Sequence, residues 1–127
     1  MKFLADSTFP VSITGSNARG HHIDRYEGAA TDLEFANAAH QDGYQGIVFL
    51  GRNAFANTEL VHRCAELRLL LVGTATNEPD AAALAIRSNI KAMAARTALG
   101  GAVVVRKSGL SDHVPIAQRP TDPVTAM

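Results

Sequence analysis

Apolar residues recur along this chain in two rhythms, and the switching between them predicts an ordered series of strands and helices. Four runs are short, nearly continuous and closed by glycine or polar turns: Phe3-Leu4-Ala5, Ile47-Val48-Phe49-Leu50, Leu69-Leu70-Leu71-Val72 and Ala102-Val103-Val104-Val105. Such runs suit strands covered on both faces, as parallel strands of α/β domains are. His22-Ile23-Asp24-Arg25-Tyr26, entered after the break at Gly20, predicts one more strand. Between these runs the spacing changes to three and four. Thr31-Asp32-Leu33-Glu34 has the form of a capping box, and Leu33, Phe35, Ala36 and Ala39 carry a helical stripe on to the stop at Gln41-Asp42-Gly43. Asn57 caps a second helix through about Arg68, with Leu60, Val61, Cys64 and Leu67 on its apolar face. Pro79 suits the first turn of a third, the longest, running from Ala81 to about Leu99 and ended by Gly100-Gly101. Ser7 to Arg19 mixes Pro10 with Val11, Ile13, Thr14 and Gly15, which predicts only a short or irregular helix.

Strands alternating with helices throughout predict an α/β fold, a three-layer sandwich around a mainly parallel four- or five-stranded sheet. The alternative is α+β with an antiparallel edge. The 127 residues suit one domain able to bury a core without staples, placed at 1–110, with the proline-interrupted 111–127 as an extended or disordered tail.

Composition removes several function classes. Twelve basic and twelve acidic residues cancel, so no overall field draws nucleic acid or membrane, and such a partner needs a local patch. The lone Cys64 in a predicted helix suits a small buried hydrophobe in a reducing, cytoplasmic setting. The opening MKFLAD has three apolar residues before Asp6, short of a signal-peptide core of about 7–15. No apolar run nears the ~20 residues of a membrane span. Phosphate-loop, dinucleotide-fingerprint and serine-elbow motifs are missing from the sequence.

What chemistry the chain offers lies in its acids and in one basic stretch. Asp6, Asp24, Glu27, Asp32, Glu34 and Asp42 put half of the acids in the first third, several at strand or helix ends. A usual sheet closure brings Asp6 and Asp32, with Glu27 or Glu34 in reserve, toward the turn Gly51-Arg52-Asn53. Converging carboxylates are what a magnesium or manganese ion needs. Equally, Asp32 can be a first-turn charge on the helix dipole and Glu34 only a capping partner. No acid occurs between Asp80 and Asp112, while Arg87, Lys91, Arg96, Arg106 and Lys107 do. Arg87 and Lys91, four apart on one predicted helix, make a phosphate-contacting face or a solvated one.

Taken in order, the segments resemble the small PIN-like domains, relatives of the VapC-type toxin ribonucleases. MKFLAD is similar to that family's opening strand with its first acid, ARGHHI to the entry of its second strand, and TDLEFANAA to its acid-bearing helix. LRLLLVG and GGAVVVRKSGL are similar to its last two strands. The family's third strand ends in T-x-D-x-D-F, where this chain has Phe49-Leu50-Gly51-Arg52-Asn53, with Phe55 one place late. The resemblance implies the toxin of a toxin–antitoxin pair, a magnesium- or manganese-dependent ribonuclease. Asp6 and Asp32 would be metal ligands, Asn53 a weakened third catalytic position, and Arg52, Arg87 and Lys91 would contact RNA. It further implies an antitoxin partner and often a homodimer. Gly51 removes one acid of the pattern outright, and the alternative is a catalytically degenerate PIN-like protein that binds protein or RNA without cutting.

Overall fold

The computed structural model describes residues 1–16, 19–28 and 30–112. The strands are β1 (Lys2–Ala5), β2 (Gly15–Ser16), β3 (His22–Arg25), β4 (Gly46–Val48), β5 (Leu70–Thr74), β6 (Ala102–Arg106) and β7 (Gly109–Asp112). The helices are α1 (Asp32–Gln41), α2 (Thr58–Leu67), α3 (Pro79–Ser88) and α4 (Ile90–Arg96), and short 3-10 turns occupy Val11–Ile13 and Asn53–Ala56. One sheet holds the strands in the order β2-β3-β1-β4-β5-β6-β7. The five central strands are parallel, while β2 on β3 and β7 on β6 are antiparallel.

The α/β class with a mostly parallel sheet is thus as the apolar runs imply, and the strand count is higher by two short edge strands. Neither edge has an apolar run behind it. Gly15–Ser16 is two residues long, and Gly109–Asp112 is held by the hairpin turn after Arg106. That hairpin carries ordered chain to Asp112, two residues into the segment expected to be tail; the rest of that expectation, 113–127, lies outside the described residues.

Alternation within each central strand divides the core in two. Phe3, Ala5, Val48, Leu70, Val72, Val103 and Val105 face α3, α4 and the turn at Val11–Ile13, through Ala82, Ile86, Met93 and Ile13. Leu4, Ile47, Leu71 and Val104 face α1 and α2, through Phe35, Ala36, Ala39, Leu60, Val61 and Cys64. The capping box at the start of α1 is complete: Thr31 Oγ1 accepts from the Glu34 N–H at 3.2 Å, and Glu34 Oε1 accepts from the Thr31 N–H at 2.9 Å. Thr31→Ala is expected to lower stability by about 1 kcal/mol, read as a shift in denaturant midpoint.

The helix expected over 81–99 is two helices. At Asn89 the backbone leaves helical geometry, with φ −114° and ψ 14°. Its side-chain amide donates to the carbonyls of Ala85 at 2.8 Å and Arg106 at 3.1 Å, while its own N–H turns to Ile86. An asparagine side chain competing for backbone groups is the ordinary reason such a residue interrupts a helix. Consequently Arg87 and Lys91 sit on different helices and do not share the single face that a spacing of four suggests. Gly73, expected to close the fourth central strand, instead lies inside β5.

The connections fix where a crevice opens. The chain leaves β1 toward β3 and leaves β4 toward β5, in opposite directions along the sheet, so a switch point lies at the C-terminal ends of β1 and β4. From α1 onward every crossover steps toward β7, yet α1 and α2 lie on one face and α3 and α4 on the other. The β5-to-β6 crossover therefore has the opposite hand to the two before it, an uncommon arrangement when about 98% of parallel crossovers are right-handed.

Candidate functional site

At the switch point Asp6, Ser7, Tyr26, Gly28, Ala30, Asp32, Phe35 and Phe49 line a cleft of about 190 Å³. Each strand end contributes through a backbone link to its neighbour: the Asp6 N–H donates to Val48 O at 3.0 Å, and the Tyr26 N–H to Ala5 O at 2.8 Å. Asp6 is held in place by Thr8, whose N–H and hydroxyl both donate to Oδ1, at 3.2 and 2.5 Å. Asp32, at the first position of α1, accepts from the Asn57 amide at 3.3 Å while Asn57 Oδ1 caps α2. The cleft wall is aromatic. Phe35 stands between Tyr26 and Phe49, with ring centroids 5.3 Å apart on either side.

Burial pushes the Asp6 carboxyl above its ordinary range; the Thr8 bonds oppose this and the charge of Asp32 adds to it. An acid whose pKa is raised on folding contributes stability below its unfolded value, and that contribution fades as pH climbs through the folded value. Asp6→Asn is accordingly expected to make the protein more stable than wild type at pH 7. The advantage should vanish below the ordinary value of 3.8. Denaturant unfolding at the two pH values checks it.

The remaining expected site residues lie apart. Asn53 opens the 3-10 turn Asn53–Ala56, is exposed, and is not part of the cleft lining; Arg52 precedes it, also exposed. Arg87 belongs to the layer on the other face of the sheet from α1, where its Nη1 donates to Ser12 O at 3.2 Å. Lys91 is exposed on α4 in that same layer. Of the reserve acids, Glu34 is used by the capping box and Glu27 pairs with Arg25 at 3.3 Å.

Gly51, which stands where the resemblance places an acid, is bound into the end of β5. Its N–H donates to Thr74 Oγ1 at 2.7 Å, and its carbonyl accepts from the Thr74 N–H at 2.9 Å. Its φ is +75°, and a Cβ built on it would lie 2.2 Å from Asn77 Oδ1. A carboxylate there would require a left-handed non-glycine residue and a displaced Asn77.

Sequence spacing did not single out Tyr26, Phe49 or Arg25. Arg25 spans the cleft rim, donating through Nη2 to Ser7 O at 3.2 Å. The signal available was position: Tyr26 and Phe49 follow the last residues of β3 and β4, where ligand crevices of open sheets lie. Asp24, by contrast, belongs to a separate polar group. It accepts from Tyr44 Oη and meets His22 Nε2, both at 2.5 Å, and the other ring nitrogen of His22 meets Ser16 Oγ at 2.5 Å. Burial pushes Asp24 up, but the Tyr44 and His22 bonds and the nearby charges of His22 and Lys2 outweigh it, so its carboxyl lies below the ordinary range. Cys64 is buried and its thiol is pushed up to about 12 by burial and by the charge of Asp32, which makes it an inert packing residue at neutral pH.

Among the described residues no group of three or more His, Cys, Asp or Glu side chains is placed to hold a metal ion. Two carboxylates can hold magnesium only together with waters and ligand phosphates. Among the described residues, too, no helix is long and apolar enough to cross a membrane. No protein-family model, no curated protein and no solved structure matches the chain.

Proposed function

We propose that the chain is a PIN-like domain that keeps that family's acidic cleft in reduced form and binds RNA there without cutting it. The observation behind this reading is Gly51. The position that would add a third acid is left-handed, is hydrogen-bonded into β5 and has the Asn77 side chain in the space a carboxylate would take. With Asn53 also outside the cleft, Asp6 and Asp32 remain, and affinity for hard cations falls with ligand charge. The cleft retains what a single-stranded base uses: the half-buried Tyr26 ring for stacking, two carboxylates for amino groups on the base edge, and the Arg25 guanidinium at the rim.

Fluorescence anisotropy with a labelled unstructured RNA tests it. Binding is expected in EDTA as in magnesium, and Tyr26→Ala is expected to weaken it at least about fivefold, since stacking contributes about 1–3 kcal/mol per base. Absence of binding with either buffer would refute the RNA reading and favour a protein-binding module.

A second reading is a weakened magnesium- or manganese-dependent ribonuclease, the toxin of a cytoplasmic toxin–antitoxin pair. It is favoured by one observation: Asp6 and Asp32 line one cleft and repel each other there, a repulsion that a cation would relieve. In that case Asp6 and Asp32 would hold the ion, and the ion would supply the activation of water at the phosphodiester.

A further inference from the structure

The polar group around Asp24 lies at the β2 edge of the sheet and shares no residue with the acidic cleft. His22 and Asp24, two apart on β3, stand on one face of the sheet, and Ser16 is the antiparallel partner of His22. A hydroxyl, an imidazole and a carboxylate therefore follow one another in contact. Ser16 Oγ meets His22 Nδ1 at 2.5 Å, and His22 Nε2 meets Asp24 Oδ1 at 2.5 Å. The second carboxylate oxygen accepts from Tyr44 Oη, also at 2.5 Å. Tyr44 is in turn held from behind: it packs on the core under α1, and Lys2 Nζ lies 4.5 Å from its ring centroid while donating to Asp42 O at 3.0 Å.

The direction of each proton follows from the far end of this chain of bonds. With its carboxyl below the ordinary range, Asp24 is an anion at neutral pH and only accepts. His22 must then carry its proton on Nε2, which leaves a lone pair on Nδ1 facing the Ser16 hydroxyl. A base bonded to a hydroxyl and oriented by a carboxylate is the arrangement that activates a serine, and it is recognised by geometry, whatever the order along the chain. The nucleophile is also reachable, since Ser16 is exposed and the His22 side chain keeps 35% of its surface open. Beside Ser16 lies a hollow of about 40 Å³, shared with Gly15, Ile23, Arg87 and Ile90. That is little more than the ~30 Å³ a water molecule takes up, so the acyl group it suits is acetyl.

We propose that Ser16, His22 and Asp24 form a nucleophilic triad that takes the acetyl group from small activated esters. Ser16 Oγ bonds to the acyl carbon as its proton passes to His22 Nδ1, and Asp24 stabilises the imidazolium. The bond to the leaving aryl oxide breaks and the oxide takes that proton. Water, deprotonated by His22, then frees acetate from the acyl-serine. The test treats the full chain with an alkyl fluorophosphonate, which bonds to activated serines with loss of fluoride, and maps the modified peptide by mass spectrometry. Label is expected on Ser16, with its rate at least about a hundredfold lower in His22→Gln and at least about tenfold lower in Asp24→Asn. Hydrolysis of p-nitrophenyl acetate is expected to fall in Ser16→Ala to the background given by the other histidines, with the circular-dichroism melting unchanged because Ser16 is exposed. An unlabelled Ser16, or one labelled as fast in His22→Gln as in wild type, would overturn the inference and leave an ordinary cross-strand hydrogen-bonded pair. Hydrolysis by Ser16→Ala equal to wild type would overturn it as well.

Discussion

Gly73→Ala is expected to destabilise the protein by about 3 kcal/mol, more than any other single methyl added to its glycines. A Cβ on Gly73 would lie 2.6 Å from the Gly51 carbonyl oxygen and 2.7 Å from the Phe55 ring. The first is backbone and the second belongs to a ring that is itself 3% exposed, so neither has room to withdraw. To accept the methyl, the turn after β4 would have to lift from β5, breaking the paired bonds between Gly51 and Thr74. Equilibrium unfolding in denaturant measures the loss. A midpoint within experimental error of wild type would mean that the turn is not seated on β5 as described.

Gly51→Asp writes back the acid that the resemblance asks for, and it is expected to cost about 2 kcal/mol of stability without creating a metal site. Two terms contribute. A non-glycine residue held at φ +75° is strained, although Asp tolerates this region better than most side chains. The carboxylate must also displace the exposed Asn77 side chain, which is flexible and moves at modest cost. Asn77→Ala in the same background is therefore expected to recover only part of the loss, since the backbone strain remains. Calorimetric titration of manganese into both variants supplies the second readout, and tight binding by either would show that the turn can still complete a site.

These two glycines mark the boundary of what was legible in the sequence. Continuous apolar runs such as Leu69 to Val72 and Ala102 to Val105 announce strands buried on both faces, because burial on both sides leaves no alternation to hide them. Thr31-Asp32-Leu33-Glu34 announces the start of α1, since its two hydrogen bonds are local. Asp6 and Asp32 could be placed together because strand and helix ends converge at a switch point. The break at Asn89 was not legible, since it depends on a bond to Arg106 seventeen residues away. The edge strands β2 and β7 have no apolar signature, as each is paired on one side only. The seating of Gly51 was equally hidden: a glycine after a strand reads as a generic stop until Thr74 and Asn77, over twenty residues on, are seen beside it.

The aromatic wall of the cleft follows a similar logic. Phe35 and Phe49 read as core residues, and they are core residues, at 3% and 6% exposed. Only their placement on either side of the C-terminal ends of β1 and β4 turns their ring edges into the floor of a site. Tyr26 completes the wall because β3 pairs in parallel with β1 and ends one residue before it.

The measurement that bears most directly on the central claim is cleavage of RNA by the purified protein with magnesium or manganese present. A panel of single-stranded and structured RNAs is incubated with wild type and with Asp6→Asn, and the products are resolved at single-nucleotide resolution. The depleted cleft predicts that every RNA stays at full length with both proteins, while wild type still retards unstructured RNA on native gels. Metal-dependent cleavage by wild type that is absent from Asp6→Asn would contradict it and make Asp6 part of a working nuclease.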